Sequence, residues 1–402
     1  MDRILLGQLG SNGDCLYATI LARQLRADHP DAHITWAISS QCVDVLRNNP
    51  HVDEVWEVPI RDWSRQAAMW PVFEREALHR YVLGDFDHVV LSQISPSNFQ
   101  NYDGTVRPSI LRAYGRPVTV PIENVICLTD EEIARVEEFA RNERLAEFEH
   151  RILFECSSKS GQSFVTPDLA QEVASHLYGM LPGATCIFST HLPMKLSDPR
   201  SRYAGHLSLR ETAHLTRHCT LFAGAGSGGT VAASSTASSA IDMIVLLKAS
   251  TSVFASFAHD FEYFGITDRT ILEMTDQNPR RIAACIAEAC RNGARAAVQE
   301  FDSRIPVRFD HYFRSVEDAL TARHRYLDAA LSLLHTAGRY GWTRELIDYG
   351  RLRVAPNLEL DPRWVFRPSR SPGEMLRREL ADAARHPAAA PRQGRWKDER
   401  HV

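Results

Sequence analysis

Short apolar runs alternate with amphipathic stretches from the start of the chain. Ile4-Leu5-Leu6 is followed by a glycine-rich loop, after which Leu16, Ile20, Leu21 and Leu25 recur at helical spacing. Further apolar strands are expected at Ile34–Ile38, Glu54–Val58 and His88–Leu91, separated by segments of helix length. A second series of the same kind begins near Arg151, with strands expected at Arg151–Cys156, Ala184–Phe188, Thr220–Ala223 and Ile241–Leu246. Helix starts are legible between them. Thr129-Asp130-Glu131-Glu132 and Ser208-Leu209-Arg210-Glu211 are capping boxes, and Thr166-Pro167 supplies an N-cap followed by a first-turn proline. The helix opened by Thr129 is charged to about Arg144 and reads as solvent-exposed, between domains. The expected fold is α/β, two Rossmann-like doubly wound domains facing a cleft, with C-terminal helices. The boundaries fall at residues 1–145 for an N-terminal Rossmann-like domain, 146–290 for a C-terminal one and 291–368 for a helical extension; 369–402 is an Arg-, Ala- and Pro-rich tail expected to be disordered.

Composition narrows the partners. The 402 residues are 44% hydrophobic and carry a formal net charge of −4, so no overall basic field favours nucleic acid or an anionic membrane. Peripheral contact with a membrane is left open, and no apolar stretch is long enough to span a bilayer. The eight cysteines are scattered, several in apolar runs such as ILFEC and TCIF, with no zinc-type spacing. They fit a reducing cytoplasm, at or away from the inner face of the membrane. Lysine occurs only at 159, 195, 248 and 397.

The loop Gly10-Ser11-Asn12-Gly13-Asp14 lies between the first strand and the first helix, where open α/β sheets place ligands. Ser11, Asn12 and Gly13 are candidates for contact with a bound molecule. Asp14 has two readings, a carboxylate that takes the proton of an attacking hydroxyl or simply a cap of the helix it opens. Around it, Gly13-Asp14, then Pro30-Asp31-Ala32-His33-Ile34-Thr35-Trp36, then Asn49-Pro50-His51-Val52-Asp53-Glu54-Val55 together resemble the opening of glycosyltransferase family 9, the heptosyltransferase-like enzymes. Phe86–Leu91 and Leu111–Gly115 resemble later segments of the family, and the likeness runs over about residues 3–250. The resemblance implies a GT-B architecture and an inverting transfer of a sugar from a nucleotide-activated donor to a glycan, glycolipid or protein hydroxyl, in bacterial surface glycan or glycoconjugate assembly. It further implies that no metal or other cofactor is needed and that Asp14 is the catalytic base.

Three loops of the second half are donor-site candidates. Ser157–Ser163 carries Lys159, which matches a basic residue of the family and would balance charge on a leaving diphosphate. Gly224–Thr230 precedes an expected small-residue helix, VAASSTASSA, so that backbone N–H groups with Ser227, Gly228, Gly229 and Thr230 suit an anion; a purely structural glycine turn is the alternative. Thr190–Lys195 offers His191 to a base, ribose or phosphate, with Asp198 the nearest carboxylate. The family's Asp-Thr-Gly-x-x-His signature is broken here, because Gly226 stands at the Asp position and Val231 at the His position. That departure leaves the donor open and keeps a non-catalytic nucleotide-sugar-binding or assembly protein as the alternative. Gly224–Gly229 also satisfies G-x-G-x-x-G and so admits a dinucleotide-dependent oxidoreductase, although no acid follows at the required distance.

Overall fold

The chain is built on two parallel sheets, described here from a computed structural model that covers residues 1–158, 161–251, 253–366 and 371–385. The first sheet contains β1 (Arg3–Gly7), β2 (His33–Ser39), β3 (Glu54–Val58) and β4 (His88–Leu91) in the order β3-β2-β1-β4. The second contains β5 (His150–Glu155), β6 (Ala184–Ser189), β7 (Ser201–Tyr203), β8 (Leu221–Gly224), β9 (Met243–Leu246) and β10 (Ile271–Met274) in the order β10-β9-β8-β5-β6-β7. Every strand pair is parallel. In each sheet the strand order reverses beside the first strand, between β1 and β4 and between β5 and β8. Connections leave such a point in opposite directions and open a crevice at the carboxyl ends of the strands. The loops after β1 and β5 therefore belong to the two crevices.

Burial follows the parallel geometry. Ile4, Leu5 and Leu6 are all fully buried, as a strand covered on both faces requires. The helix Asn12–Asp28 buries a contiguous run from Cys15 to Ala22, since it packs on the first sheet and also against the helix Gly228–Ala232 of the second half. The Thr129 capping box is present, but its helix, Asp130–Asn142, is not simply solvent-exposed. Val136 and Phe139 are buried where it packs against the helix Leu209–Leu215. Arg210 joins these helices: its Nε and Nη2 each lie 2.8 Å from a Glu132 carboxylate oxygen, and its Nη1 donates to the Arg47 carbonyl of the first half at 3.0 Å. The small-residue run after Gly228 is helical only to Ala232. Beyond it, Ser234 Oγ donates to the Val231 carbonyl and Thr236 N–H to the Asn124 carbonyl, so side chains and a neighbouring segment take over the backbone partners that a helix would use.

Chain contacts divide the molecule into two compact units, Met1–Leu91 with Arg116–Pro306, which holds both sheets, and Ser92–Gly115 with Val307 onward. The second unit is helical. The segment Ser92–Gly115, placed by sequence inside the N-terminal domain, packs with the later residues around Tyr102, Tyr312 and Leu333. Residues 372–385, expected in the disordered tail, instead form a helix that buries Leu376 and Leu380; 386–402 lie outside the described residues. Leu376 and Leu380 are four apart on one face, a helical signal masked by the surrounding Arg and Ala.

The helical unit has a charged centre. Asp103 is fully buried, and its carboxylate lies 2.7 Å from Arg112 and 3.4 Å from Arg339 while accepting a hydrogen bond from Thr105. Burial pushes its carboxyl up, but the two guanidiniums outweigh that and hold it at about 2. A depressed folded-state value stabilises the fold above the ordinary carboxylate range and is lost as pH falls towards 2. The expected contribution is roughly 2 kcal/mol. Asp103→Asn should lower the denaturation midpoint of this unit at pH 7 and flatten its stability between pH 4 and 2, measured by denaturant titration across that range.

Candidate functional site

A cleft of about 600 Å³ opens where the two crevices meet, a size ordinary for a ligand site. Ser11, Asn12 and Gly13 line it from the first half; Glu155, Ser157, Ser189, Thr190, His191 and Ser227–Gly229 line it from the second. Ser11, with extended backbone, is the N-cap of Asn12–Asp28, so the first amides of a seventeen-residue helix start at the cleft wall. The two loops approach closely: an added Cβ at Gly228 would lie 3.7 Å from the Gly13 nitrogen and from Asn12 Cβ.

Asp14 follows directly on the lining residues. Its carboxylate accepts a hydrogen bond from the Ser11 N–H at 3.3 Å, so it does close a capping box. It is also half-buried, and burial raises its carboxyl to about 6, against the lowering by the Ser11 hydrogen bond. Capping and proton acceptance coexist in one residue, because a cap uses one oxygen and leaves lone pairs on the other.

The second half supplies hydroxyls. Ser157 Oγ is hydrogen-bonded to Thr190 Oγ1 at 2.9 Å and to His191 Nδ1 at 3.3 Å. This joins the loops after β5 and β6 into one wall. His191 is exposed at its rim. Asp198 does not line the cleft and is engaged by Arg200 through its backbone and side chain. Lys159 lies outside the described residues.

The glycine loop holds the residue that sequence reasoning missed. Glu155, the last residue of β5, accepts hydrogen bonds from Ala225 N–H at 2.9 Å, Gly229 N–H at 2.9 Å, Thr230 Oγ1 at 2.6 Å and the Ser227 hydroxyl. An internal carboxylate thus takes the loop donors expected to face a diphosphate. Thr230 is buried behind it, also accepting from Gly226 N–H, whereas Ser227, Gly228 and Gly229 reach the cleft surface. A Cβ at Gly229 would lie 2.3 Å from Glu155 Oε1, so glycine there admits the carboxylate. Gly226 has φ +64°, and a Cβ would meet Leu247 Cδ2 at 2.9 Å, so this turn is shaped around a residue without a side chain. Val231 is buried, with Cγ2 3.5 Å from the position a Cβ of Gly13 would take. The two departures from the family signature are therefore integrated into packing. The only forewarning of Glu155 was an acid closing the apolar run ILFE; its partners lie some seventy residues away.

Comparison with solved structures agrees with this architecture. The chain superposes on a glycosyltransferase family 9 protein from Veillonella parvula with a TM-score of 0.51 and 17% identity, over 75% of this chain and 98% of that one. The chain shares the fold of that glycosyltransferase. Two E. coli structures are also similar: ADP-heptose LPS heptosyltransferase II, at 16% identity, TM-score 0.47 and coverage of 75% and 99%, and heptosyltransferase WaaC with ADP, at 12%, 0.45, and 73% and 100%. No family model matches the sequence, and no curated protein matches it. No helix among the described residues is long and apolar enough to cross a membrane.

Proposed function

We propose that the chain is an inverting, metal-independent glycosyltransferase, which moves a sugar from a nucleotide-sugar to an acceptor hydroxyl in the assembly of a bacterial surface glycan or glycoconjugate. The observation that carries this reading is that Asp14, a carboxyl raised to about 6, directly follows Ser11–Gly13, which line a cleft whose opposite wall is rich in hydroxyl donors. At neutral pH such a group is mostly ionised yet basic enough to accept the acceptor's proton as its oxygen attacks the anomeric carbon. Attack from the face opposite the departing nucleoside diphosphate inverts the anomeric configuration. Ser11–Gly13 would contact the acceptor on the side of Asp14, and the Ser157–Thr190–His191 group across the cleft would meet the negative charge on the leaving group.

The engagement of the glycine-loop amides by Glu155 supports a second reading, a protein that binds a nucleotide-sugar without transferring it. Both readings require the nucleotide in the cleft. Isothermal titration with ADP, GDP, UDP and dTDP should find one nucleoside diphosphate that binds, and Gly228→Phe, which fills the gap beside Gly13, should weaken it by more than about tenfold. Binding of none of the four, or equal binding by the variant, would remove the cleft as the donor site.

A further inference from the structure

A second site lies at the other end of the first sheet, away from the cleft. Among the described residues, Asp2, His29 and His88 bring three ligand atoms within 4.8 Å of one another. We propose that these three side chains bind a divalent transition metal, with Zn(II) as the best match, as a clamp on the N-terminal half.

The three residues are held by three different elements. Asp2 stands one residue before β1, and its carbonyl accepts from His33 N–H at 2.7 Å, which ties its backbone to β2. His88 opens β4 and lies in register with Ile4. Side chains alternate along a strand, so Asp2 and Ile4 share a face, and His88, paired with Ile4, points to that same face. His29 is the C-cap of Asn12–Asp28, its N–H bonded to the Leu25 carbonyl at 2.9 Å. Ligands fixed to strands and a helix end need little reordering when an ion enters.

The spacing suits a tetrahedral ion. His29 Nδ1 and Asp2 Oδ2 are 3.1 Å apart, and bonds of about 2.0–2.1 Å to zinc separate neighbouring ligand atoms by about 3.3 Å. The His29 and His88 rings are 5.4 Å apart between centroids, and the exposed side chain of His88 is the one that would draw in to bring the ligand atoms, which lie within 4.8 Å of one another, to bonding distance. Two imidazole nitrogens and one carboxylate oxygen favour Zn(II), Co(II), Ni(II) or Cu(II) over Mg(II) or Ca(II), which take oxygen. Water would fill the remaining position. The local field also favours a cation, because the site lies at the carbonyl end of a long helix. The nearby cation Arg3 is committed to Asp87 and the Gly84 carbonyl, and Arg26 to the Pro30 and Ala32 carbonyls and Asp53. Because the site is at the amino ends of β1 and β4, it is independent of the metal-free chemistry proposed for the cleft.

The test is calorimetric titration of chelator-stripped full-length protein with Zn(II), and with Mg(II) as a control. The expected result is saturable Zn(II) binding near one equivalent, weakened about 100-fold or more in His88→Ala and in His29→Ala. It should be unchanged in His33→Ala, which removes a different histidine–carboxylate pair, with Glu54. Circular dichroism of each variant checks the fold, and His88, at the surface, is the substitution least disturbing to it. Absence of saturable binding, an unchanged isotherm in His88→Ala, or equal loss in His33→Ala would overturn the proposal.

Discussion

Asp14→Asn is expected to lower sugar transfer by about 10²–10⁴-fold while raising the stability of the two-sheet unit. The two effects have one cause. Burial lifts the Asp14 carboxyl to about 6, so its ionised form is held at a cost. The sign follows from linkage: a carboxyl with a raised folded-state value contributes most below the ordinary carboxylate range, and that contribution is lost as pH rises through about 6. At pH 7 the wild type carries the full cost, which partial exposure reduces to about 1–2 kcal/mol. Asparagine is nearly isosteric, keeps an oxygen that can accept from the Ser11 N–H, and has no charge to bury. Denaturant titration at pH 3, 5 and 8 should show the variant's advantage nearly absent at the lowest pH, partial at pH 5 and largest at pH 8. The wild-type rate should fall below pH 6, following the protonation of this group. A residue that served only as a cap would give the pH-dependent gain in stability without the loss of rate.

Glu155→Gln is expected to have the largest cost to stability, about 3 kcal/mol, with the two-sheet unit unfolding at lower denaturant concentration. Four donors converge on the carboxylate, two backbone N–H groups and two hydroxyls. A glutamine keeps one acceptor oxygen and turns an NH2 group towards the remaining donors. The hydroxyls of Ser227 and Thr230 can rotate to present a lone pair, but the amides of Ala225 and Gly229 cannot, and one is left buried without an acceptor. Loss of the negative charge weakens the hydrogen bonds that remain. Equilibrium unfolding measures the cost, and titration with the nucleotide that binds the wild type shows whether the loop still forms the cleft wall. Unchanged stability would mean that the carboxylate is not what organises the glycine loop.

The fold was legible because the central strands of a parallel sheet, such as β1 and β5, are buried on both faces and stand out as apolar runs, while the edge strands are short runs of β-formers. β3 and β4 fall at Glu54–Val58 and His88–Leu91 as expected, β5 is shifted by one residue and β6 extends one residue further. β7 and β10 were not expected. The first has three residues at a sheet edge, too few for a periodic signal. The second contains Glu273, which reads as a solvent-facing residue in sequence. In the fold it is fully buried, held by Ser256 Oγ at 2.7 Å and by the N–H groups of Ala258 and Ile305, each at 3.1 Å.

Buried carboxylates were the recurrent blind spot. Glu155 and Glu273 each end or occupy a strand and bind amides far away in sequence, a pairing that only the tertiary fold creates. The candidate site was legible in part for the opposite reason. Ser11–Gly13 and Asp14 follow β1 directly, and Ser227–Gly229 and His191 follow β8 and β6, so topology carries them to the same crevice. Thr230 is carried there too, but turns inward to Glu155. Ser157, which opens the Ser157–Ser163 loop expected at the donor site, joins Thr190 and His191 there, a pairing the sequence did not show.

Transfer from a panel of ADP-, GDP-, UDP- and dTDP-sugars, with a chelator present, tests the central claim most directly when wild type and Asp14→Asn are compared. The expected result is turnover of one donor that survives chelation and collapses in the variant. Turnover that needs added metal, or that persists undiminished in Asp14→Asn, would contradict it, and nucleotide-sugar binding without turnover would leave the protein a binder.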